Sequence, residues 1–174
     1  MRVAVTGTPG TGKTTATEGA ETPLSTVHLN DAIQDRTLTA GHDEKRDSAV
    51  ADIEAVVGWL DGREDILVES HLAHYVPADR VVVLRCHPDD LAERLRERGE
   101  PPETVAENAE SEALDIVLTA AVERHGSDSV YEIDTTDRGP AAVATDLEAG
   151  VGGERGPPAG RVSRVVYLCH RARP

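Results

Sequence analysis

The chain of 174 residues has a length typical of one domain, and its 32 acidic and 18 basic side chains give a formal net charge of −14. This acidic balance opposes bulk binding to nucleic acids or to anionic membranes. No apolar run approaches the roughly 18 residues that a membrane-spanning helix needs, and polar Thr6-Gly7 comes too early for a secretion signal. Because there are only two cysteines, Cys86 and Cys169, we expect a cytoplasmic protein without a disulfide framework.

The cationic side chains are unusual in kind, since Lys13 and Lys45 are the only lysines and all the others are arginines. An acidic surface of this type repels itself in dilute buffer and is screened by salt. We therefore favour adaptation to high salt, a halophilic protein, over ordinary acidity that aids solubility.

Apolar patterns of strand and helix type alternate along the chain. Helices are predicted from Lys13 to about Gly19, from Asn30 or Asp31, over Asp47–Leu60, from Pro88, over Glu103–Arg124 and over Pro140–Ala149. Strands are predicted over Arg2–Thr6, Thr26–Leu29, Ile66–Glu69, Arg80–Arg85 and Ser129–Ile133. This alternation predicts an α/β fold, with a parallel sheet covered by helices on both faces.

The composition changes near the end of the chain. Glycine and proline are frequent from Gly150 to Gly160, and residues 155–174 hold five arginines and no acidic residue. We predict a single domain over residues 1–150, followed over 151–174 by a Gly/Pro linker and a basic tail.

A glycine-rich loop follows the first predicted strand and precedes the first predicted helix. Residues Gly7 to Thr14 fit the pattern G-x-x-x-x-G-K-[ST], in which glycines let backbone N–H groups surround a phosphate. In such a loop Lys13 bridges the β- and γ-phosphates and Thr14 places its hydroxyl on Mg²⁺. The motif predicts a nucleoside triphosphate site.

A second magnesium ligand is expected at the end of a neighbouring strand. Glu69 ends the apolar run Ile66–Glu69, which is the layout of a Walker-B acid, although acids at strand ends are also common. His71 follows two residues later and could position a water or a substrate phosphate, or be an ordinary loop residue. The remaining histidines lack the spacing of metal ligands, and we interpret them as structural or surface residues.

Arginines cluster before the break at Gly99–Pro102. Arg94, Arg96 and Arg98 lie on the predicted helix and Arg85 ends the preceding strand. Guanidinium groups on a mobile segment can stabilise the charge of phosphoryl transfer, whereas the alternative is a helix face laced with ion pairs. Because Arg94 and Arg98 are four residues apart, we favour these two as the pair that points into a site.

Together these segments resemble the adenylate kinase 6-type proteins. The resemblance rests on the loop over residues 7–15, Glu69-Ser70-His71, Leu84-Arg85, Leu95-Arg96-Glu97-Arg98-Gly99 and residues 107–112. It implies a three-layer P-loop NTPase fold with a five-stranded parallel sheet, a nucleoside-monophosphate-binding insert near residues 28–51 and a short lid near 97–107.

The resemblance also implies an activity and a set of site residues. It implies phosphorylation of a nucleoside monophosphate by ATP, with AMP as the usual acceptor, and ATPase activity. It further implies a role in late maturation of the small ribosomal subunit through a ribosomal protein partner. The nucleotide contacts of the family fall on Gly10, Gly12, Lys13, Thr14, Thr15 and Arg98.

The chain departs from the family pattern at three places. Glu69 stands where the family more often has Asp, and Gln34 where an arginine is frequent in the insert, with Arg36 two positions later as a substitute. The tail after Val162 does not match the acidic ending of the family, and a basic tail could contact RNA.

Three functional hypotheses follow. The leading one is a nucleoside monophosphate kinase, and the second is an ATPase switch that acts on a ribosomal partner with incidental kinase activity. The third is a kinase for another small metabolite. The absence of an N-K-x-D element argues against a GTPase.

Overall fold

A five-stranded parallel sheet forms the centre of the protein, which we describe over residues 1–43 and 48–153 in a computed structural model. The strands lie in the order β2-β5-β1-β6-β7. Their bounds are β1 Arg2–Thr6, β2 Ser25–His28, β5 Ile66–Glu69, β6 Arg80–Arg85 and β7 Val130–Asp134. Each predicted strand therefore lies within one residue of an observed strand.

Alternate residues of the central strands face opposite layers of helices. Ala4, Val81 and Val83 pack with one cluster of buried side chains, whereas Val82 and Leu84 pack with the other. The first layer contains α2 Leu29–Asp35, α3 Ile53–Leu60 and α6 Ile116–His125, and the second contains α1 Lys13–Gly19 and α7 Pro140–Gly152. The predicted α/β fold with helices on both faces is therefore confirmed. The sequence could predict it because strands buried on both sides are continuous apolar runs.

A hairpin replaces the first part of the predicted helix over Asp47–Leu60. Residues Ser48–Ala51 form β4, which pairs antiparallel with β3 at Thr39–Asp43. Helix α3 begins only at Ile53, where the Asp52 carboxylate accepts a hydrogen bond of 3.0 Å from the Ala55 N–H. The helical spacing of the apolar residues extended across this cap, so that the prediction placed the helix start too early.

The long helix predicted over Glu103–Arg124 is two helices. These are α5, which spans Pro102–Ala113, and α6, which follows after a break at Leu114 and Asp115. The preceding helix α4 spans Pro88–Glu97. Asp115 has a φ of 55°, in the left-handed region, which interrupts the helix. Its carboxylate binds the buried guanidinium of Arg85, a long-range contact that local periodicity does not reveal.

The last helix is longer than predicted. Helix α7 continues through Gly152, and Gly150 lies against Val82, so the first residues of the predicted linker belong to the folded domain. The rest of the predicted linker and the basic tail, residues 154–174, lie outside the described residues. Within the described ranges, no helix has the length and apolar character needed to cross a bilayer.

Candidate active site

The glycine-rich loop joins β1 to α1 and packs against β6 and α4. Gly7, Gly10 and Gly12 have φ values of 143°, 93° and 90°, which side chains rarely adopt. A Cβ atom on Gly7 would overlap the carbonyl oxygen of Leu84, and one on Gly10 would lie 2.8 Å from the side chain of Leu91. The loop therefore needs glycine both for its backbone conformation and for its close packing.

Lys13 begins α1 and is almost fully buried, with 8% of its surface exposed. Its ammonium group donates hydrogen bonds to the carbonyl oxygens of Gly7 at 2.9 Å and Thr8 at 3.1 Å. Burial lowers the pKa of Lys13 to about 8, with Arg98 lowering it further and Glu69 opposing the shift. The ammonium is thus held against the loop in surroundings that disfavour its charge.

Thr14 and Glu69 bring two side-chain oxygen atoms together at the carboxyl end of the parallel strands. Thr14 Oγ1 lies 3.4 Å from Glu69 Oε2, and the Glu69 carboxylate is 7% exposed. His28 Nδ1 lies 3.0 Å from the same Glu69 oxygen, a contact that sequence reasoning missed. The signal for it exists only in the sheet register, which pairs the last residue of β2 with the last residue of β5.

This pair fits magnesium in its donor chemistry. Among the residues that the structure describes, no cluster of three or more His, Cys, Asp or Glu side chains could hold a metal. Magnesium at a nucleotide site needs no such cage, since it takes one or two protein oxygens and completes its shell with phosphates and water. A hydroxyl and a carboxylate at this spacing suit that mode.

Two histidines near the ends of β1 and β5 have different surroundings. Burial, together with the charge of Lys13, lowers the pKa of His71, whereas Glu69 acts in the opposite direction. His74 Nδ1 lies 3.0 Å from Thr6 Oγ1, and burial lowers the pKa of His74 to about 4. His74 is therefore a neutral side chain of the interior, while His71 lies within electrostatic range of Lys13 and Glu69.

Arg94 and Arg98 line a pocket of about 290 Å³ on the other side of the loop. Arg94 donates to the Thr135 carbonyl oxygen at 3.0 Å and to its hydroxyl at 3.3 Å, while Arg98 caps α4 and is exposed. Other residues that line the pocket are Gly10, Gly12, Thr15, Thr135 and Arg138. Arg96 instead faces a groove between α4 and α5, as expected for side chains two residues apart on a helix.

Arg85 and Arg36 have partners away from this pocket. The Arg85 guanidinium is 1% exposed and binds the carboxylates of Glu112 at 2.7 Å and Glu132 at 2.9 Å. It is therefore part of a buried ionic network, not a member of the arginine cluster around the loop. Arg36, the proposed substitute at the Gln34 position, lies with its guanidinium carbon 5.3 Å from the centre of the Trp59 ring.

The fold and the loop define the class of protein. A family model described as "AAA domain" matches residues 3–115. Among solved structures, shikimate kinase from Bacteroides thetaiotaomicron aligns with a TM-score of 0.56 at 18% identity, over 87% of this chain and 98% of that one. Deoxyadenosine kinase from M. mycoides aligns at 0.50 and 14% identity, over 87% and 100%. The protein is a P-loop protein of the AAA-domain family, and these structural likenesses bear on the fold alone.

Closer relatives narrow the family. Proteins named "Putative adenylate kinase" are 62% identical in Natronomonas pharaonis and 56% identical in Halobacterium salinarum, each over 97% of this chain and 100% of the relative. A protein of the same name from Methanosarcina acetivorans is 42% identical over 85% and 84%. The chain belongs to this adenylate kinase family.

Proposed function

We propose that the protein is a nucleoside monophosphate kinase that transfers the γ-phosphate of ATP to AMP. The observation that carries the proposal is the geometry around the loop. Lys13 and the Thr14–Glu69 pair lie at one sheet edge, and Arg94 and Arg98 face the same loop from α4. The shared name of the relatives supports the choice of adenylate chemistry within this class.

The loop and the arginines bind and orient the donor. The backbone N–H groups of Gly10 and Gly12 surround the phosphates of ATP, and the hydroxyls of Thr14 and Thr15 add polar contacts. Lys13 exchanges its carbonyl partners for the β- and γ-phosphate oxygens, whose charge stabilises the ammonium that burial disfavours. Arg94 holds its orientation through Thr135, and exposed Arg98 moves with a lid over residues 97–107 to exclude water.

Thr14 and Glu69 would hold Mg²⁺ with the bound nucleotide. When bound there, the ion would neutralise negative charge on the phosphate oxygens. His28 orients the Glu69 carboxylate through its hydrogen bond of 3.0 Å. The longer side chain of Glu69, compared with the Asp common in the family, makes this orienting contact useful because it restricts the extra rotatable bond.

The acceptor needs positioning more than deprotonation. The phosphate of AMP is already anionic, so no general base has to remove a proton before the attack. We assign acceptor binding to the segment over residues 28–51 and assign His71 the role of orienting a phosphate by hydrogen bonding. Burial and the charge of Lys13 lower the pKa of His71 and so favour its neutral ring, in which one nitrogen donates and the other accepts.

The direct test is transfer from ATP to AMP, CMP, GMP and UMP with Mg²⁺ at high salt, with ATP alone as the blank. We expect a higher rate of phosphoryl transfer to AMP than to the other acceptors. The Lys13→Met variant is the control, which we expect to fold but not to transfer phosphate. Slow turnover of ATP alone is the accompanying ATPase activity. Hydrolysis of ATP at one rate with or without every acceptor would refute the kinase.

The ATPase switch is the alternative that this assay separates. It corresponds to a role in maturation of the small ribosomal subunit, in which a ribosomal protein would stimulate hydrolysis. Stimulation by such a partner, without an effect of AMP, would make the switch the better account. The kinase takes precedence because Arg94 and Arg98 both line the loop pocket, where transfer needs cations.

A further inference from the structure

Glu112, in the last turn of α5, is a buried carboxylate that joins three separate elements. It is 2% exposed, and one oxygen accepts hydrogen bonds from Arg85 Nε at 2.7 Å and from the Cys86 N–H at 3.1 Å. Its other oxygen accepts a hydrogen bond of 2.6 Å from the hydroxyl of Thr8 in the glycine-rich loop. A buried charge with this many donors fixes the geometry of all the groups around it.

Thr8 is the centre of the loop's internal hydrogen bonds. Its carbonyl oxygen accepts from the Lys13 ammonium at 3.1 Å, from the Thr11 N–H at 3.2 Å and from the Thr11 hydroxyl at 2.9 Å. Thr8 is 1% exposed, and its side chain is directed away from the pocket toward α5. A shift of Thr8 would therefore displace an acceptor of the Lys13 ammonium and change the curvature of the loop.

The two oxygens of the Glu112 carboxylate have different partners, since one accepts from Arg85 Nε and the other accepts from Thr8. Arg85 also binds Glu132 at 2.9 Å and the carboxylate of Asp115, so several acidic groups share its charge. The Glu112 oxygen that faces Thr8 is not the one that accepts from Arg85 Nε, and Thr8 and Glu112 lie 104 positions apart in the chain. This oxygen is therefore the one that contacts the glycine-rich loop.

We propose that Glu112 is a positioning residue that fixes the phosphate loop through Thr8 before nucleotide binds. The proposal rests on the proposed function, since it assumes that the loop receives ATP. A loop held in its binding shape avoids the ordering cost that a free loop would meet on binding. Loss of the Thr8–Glu112 hydrogen bond should then weaken ATP binding even where the fold persists.

The test compares five variants with the wild type for the Kd of ATP, for kcat and KM, and for the free energy of unfolding. Thr8→Val removes the hydroxyl with little change of shape, and Glu112→Gln removes the charge. We expect each to weaken ATP binding about tenfold, because a hydrogen bond to a charged group is lost or weakened. Thr8→Ser, which keeps the hydroxyl, should stay within about threefold of the wild type.

Glu132→Gln is the matched control for a purely structural role. It also removes a carboxylate from the Arg85 guanidinium, but it acts from β7. It should lower the free energy of unfolding while the Kd of ATP stays within about threefold. In the double variant Thr8→Val with Glu112→Gln, the two losses in affinity should not add, because both changes break one hydrogen bond.

The outcomes separate this proposal from the function on which it rests. Wild-type affinity in Thr8→Val, or an equal loss of affinity in Glu132→Gln, would overturn the positioning role while the kinase assignment stands. Failure of the wild-type protein itself to bind ATP would overturn the proposed function, and with it the positioning role.

Discussion

Replacement of Lys13 by methionine should separate what the ammonium does for activity from what it does to stability. The side chain is 8% exposed, and its pKa is lowered from 10.5 to about 8, chiefly by burial. The folded protein therefore disfavours the charged form that phosphate binding requires. We expect Lys13→Met to abolish phosphoryl transfer while the protein remains folded.

The size of the stability effect follows from the pKa. A fall from 10.5 to about 8 corresponds to roughly 3 kcal/mol against the charged form, since one pH unit is worth about 1.4 kcal/mol. Between these two values the unfolded chain keeps the proton that the folded chain has lost, so the free energy of unfolding rises with pH. From pH 7 to pH 10 the wild type should gain roughly 2 kcal/mol relative to Lys13→Met.

Urea unfolding of both proteins at constant high KCl, followed by circular dichroism from pH 7 to pH 10, measures this difference. Subtraction of the two curves removes the contributions of other groups, including Cys86, whose pKa burial raises. A difference that does not change with pH would refute the buried, disfavoured ammonium. Retained phosphoryl transfer in a folded Lys13→Met protein would refute the assignment of the loop.

Further predictions concern the arginines and the surface charge. Arg98→Ala should lower transfer at least about tenfold and change unfolding by less than about 0.5 kcal/mol, whereas the matched Arg96→Ala should leave transfer intact; equal rates in the two variants would contradict the lid role. Arg85→Leu leaves buried carboxylates without their cation and should lower the free energy of unfolding in urea by about 3–5 kcal/mol. A variant as stable as the wild type would contradict the buried network. Because the net charge is −14, raising KCl from about 0.1 M to 2 M should raise the melting temperature, and a fall would contradict salt adaptation.

The parts of the candidate site that could be predicted from the sequence depend on residues that are close together in the chain. The fixed positions of the loop motif predicted Lys13 and Thr14 as site residues. The apolar run before Glu69 predicted a strand that ends in an acidic residue. The spacing of Arg94 and Arg98 told which arginines share a helix face, and both line the same pocket. Their roles in binding and transfer stay predictions.

Other parts of the site depend on contacts between distant segments. The hydrogen bond from Thr8 to Glu112 joins residues 104 positions apart, and His28 meets Glu69 only because β2 lies beside β5. The hairpin of β3 and β4 and the helix break at Asp115 were missed for the same reason. In each case a local pattern favoured a continuous helix or left the partner unnamed.

The sequence by itself determined the alternating α/β order, the phosphate loop and the strand core, because glycine sterics, helical spacing and apolar runs act within a few residues. Only the tertiary structure decided that Arg85 lies in a buried ionic network, while Arg94 faces the loop. The physical reason is that a charged side chain can be buried only where other segments supply its partners. Which segments meet is set by the order of strands in the sheet and by the packing of helices over it.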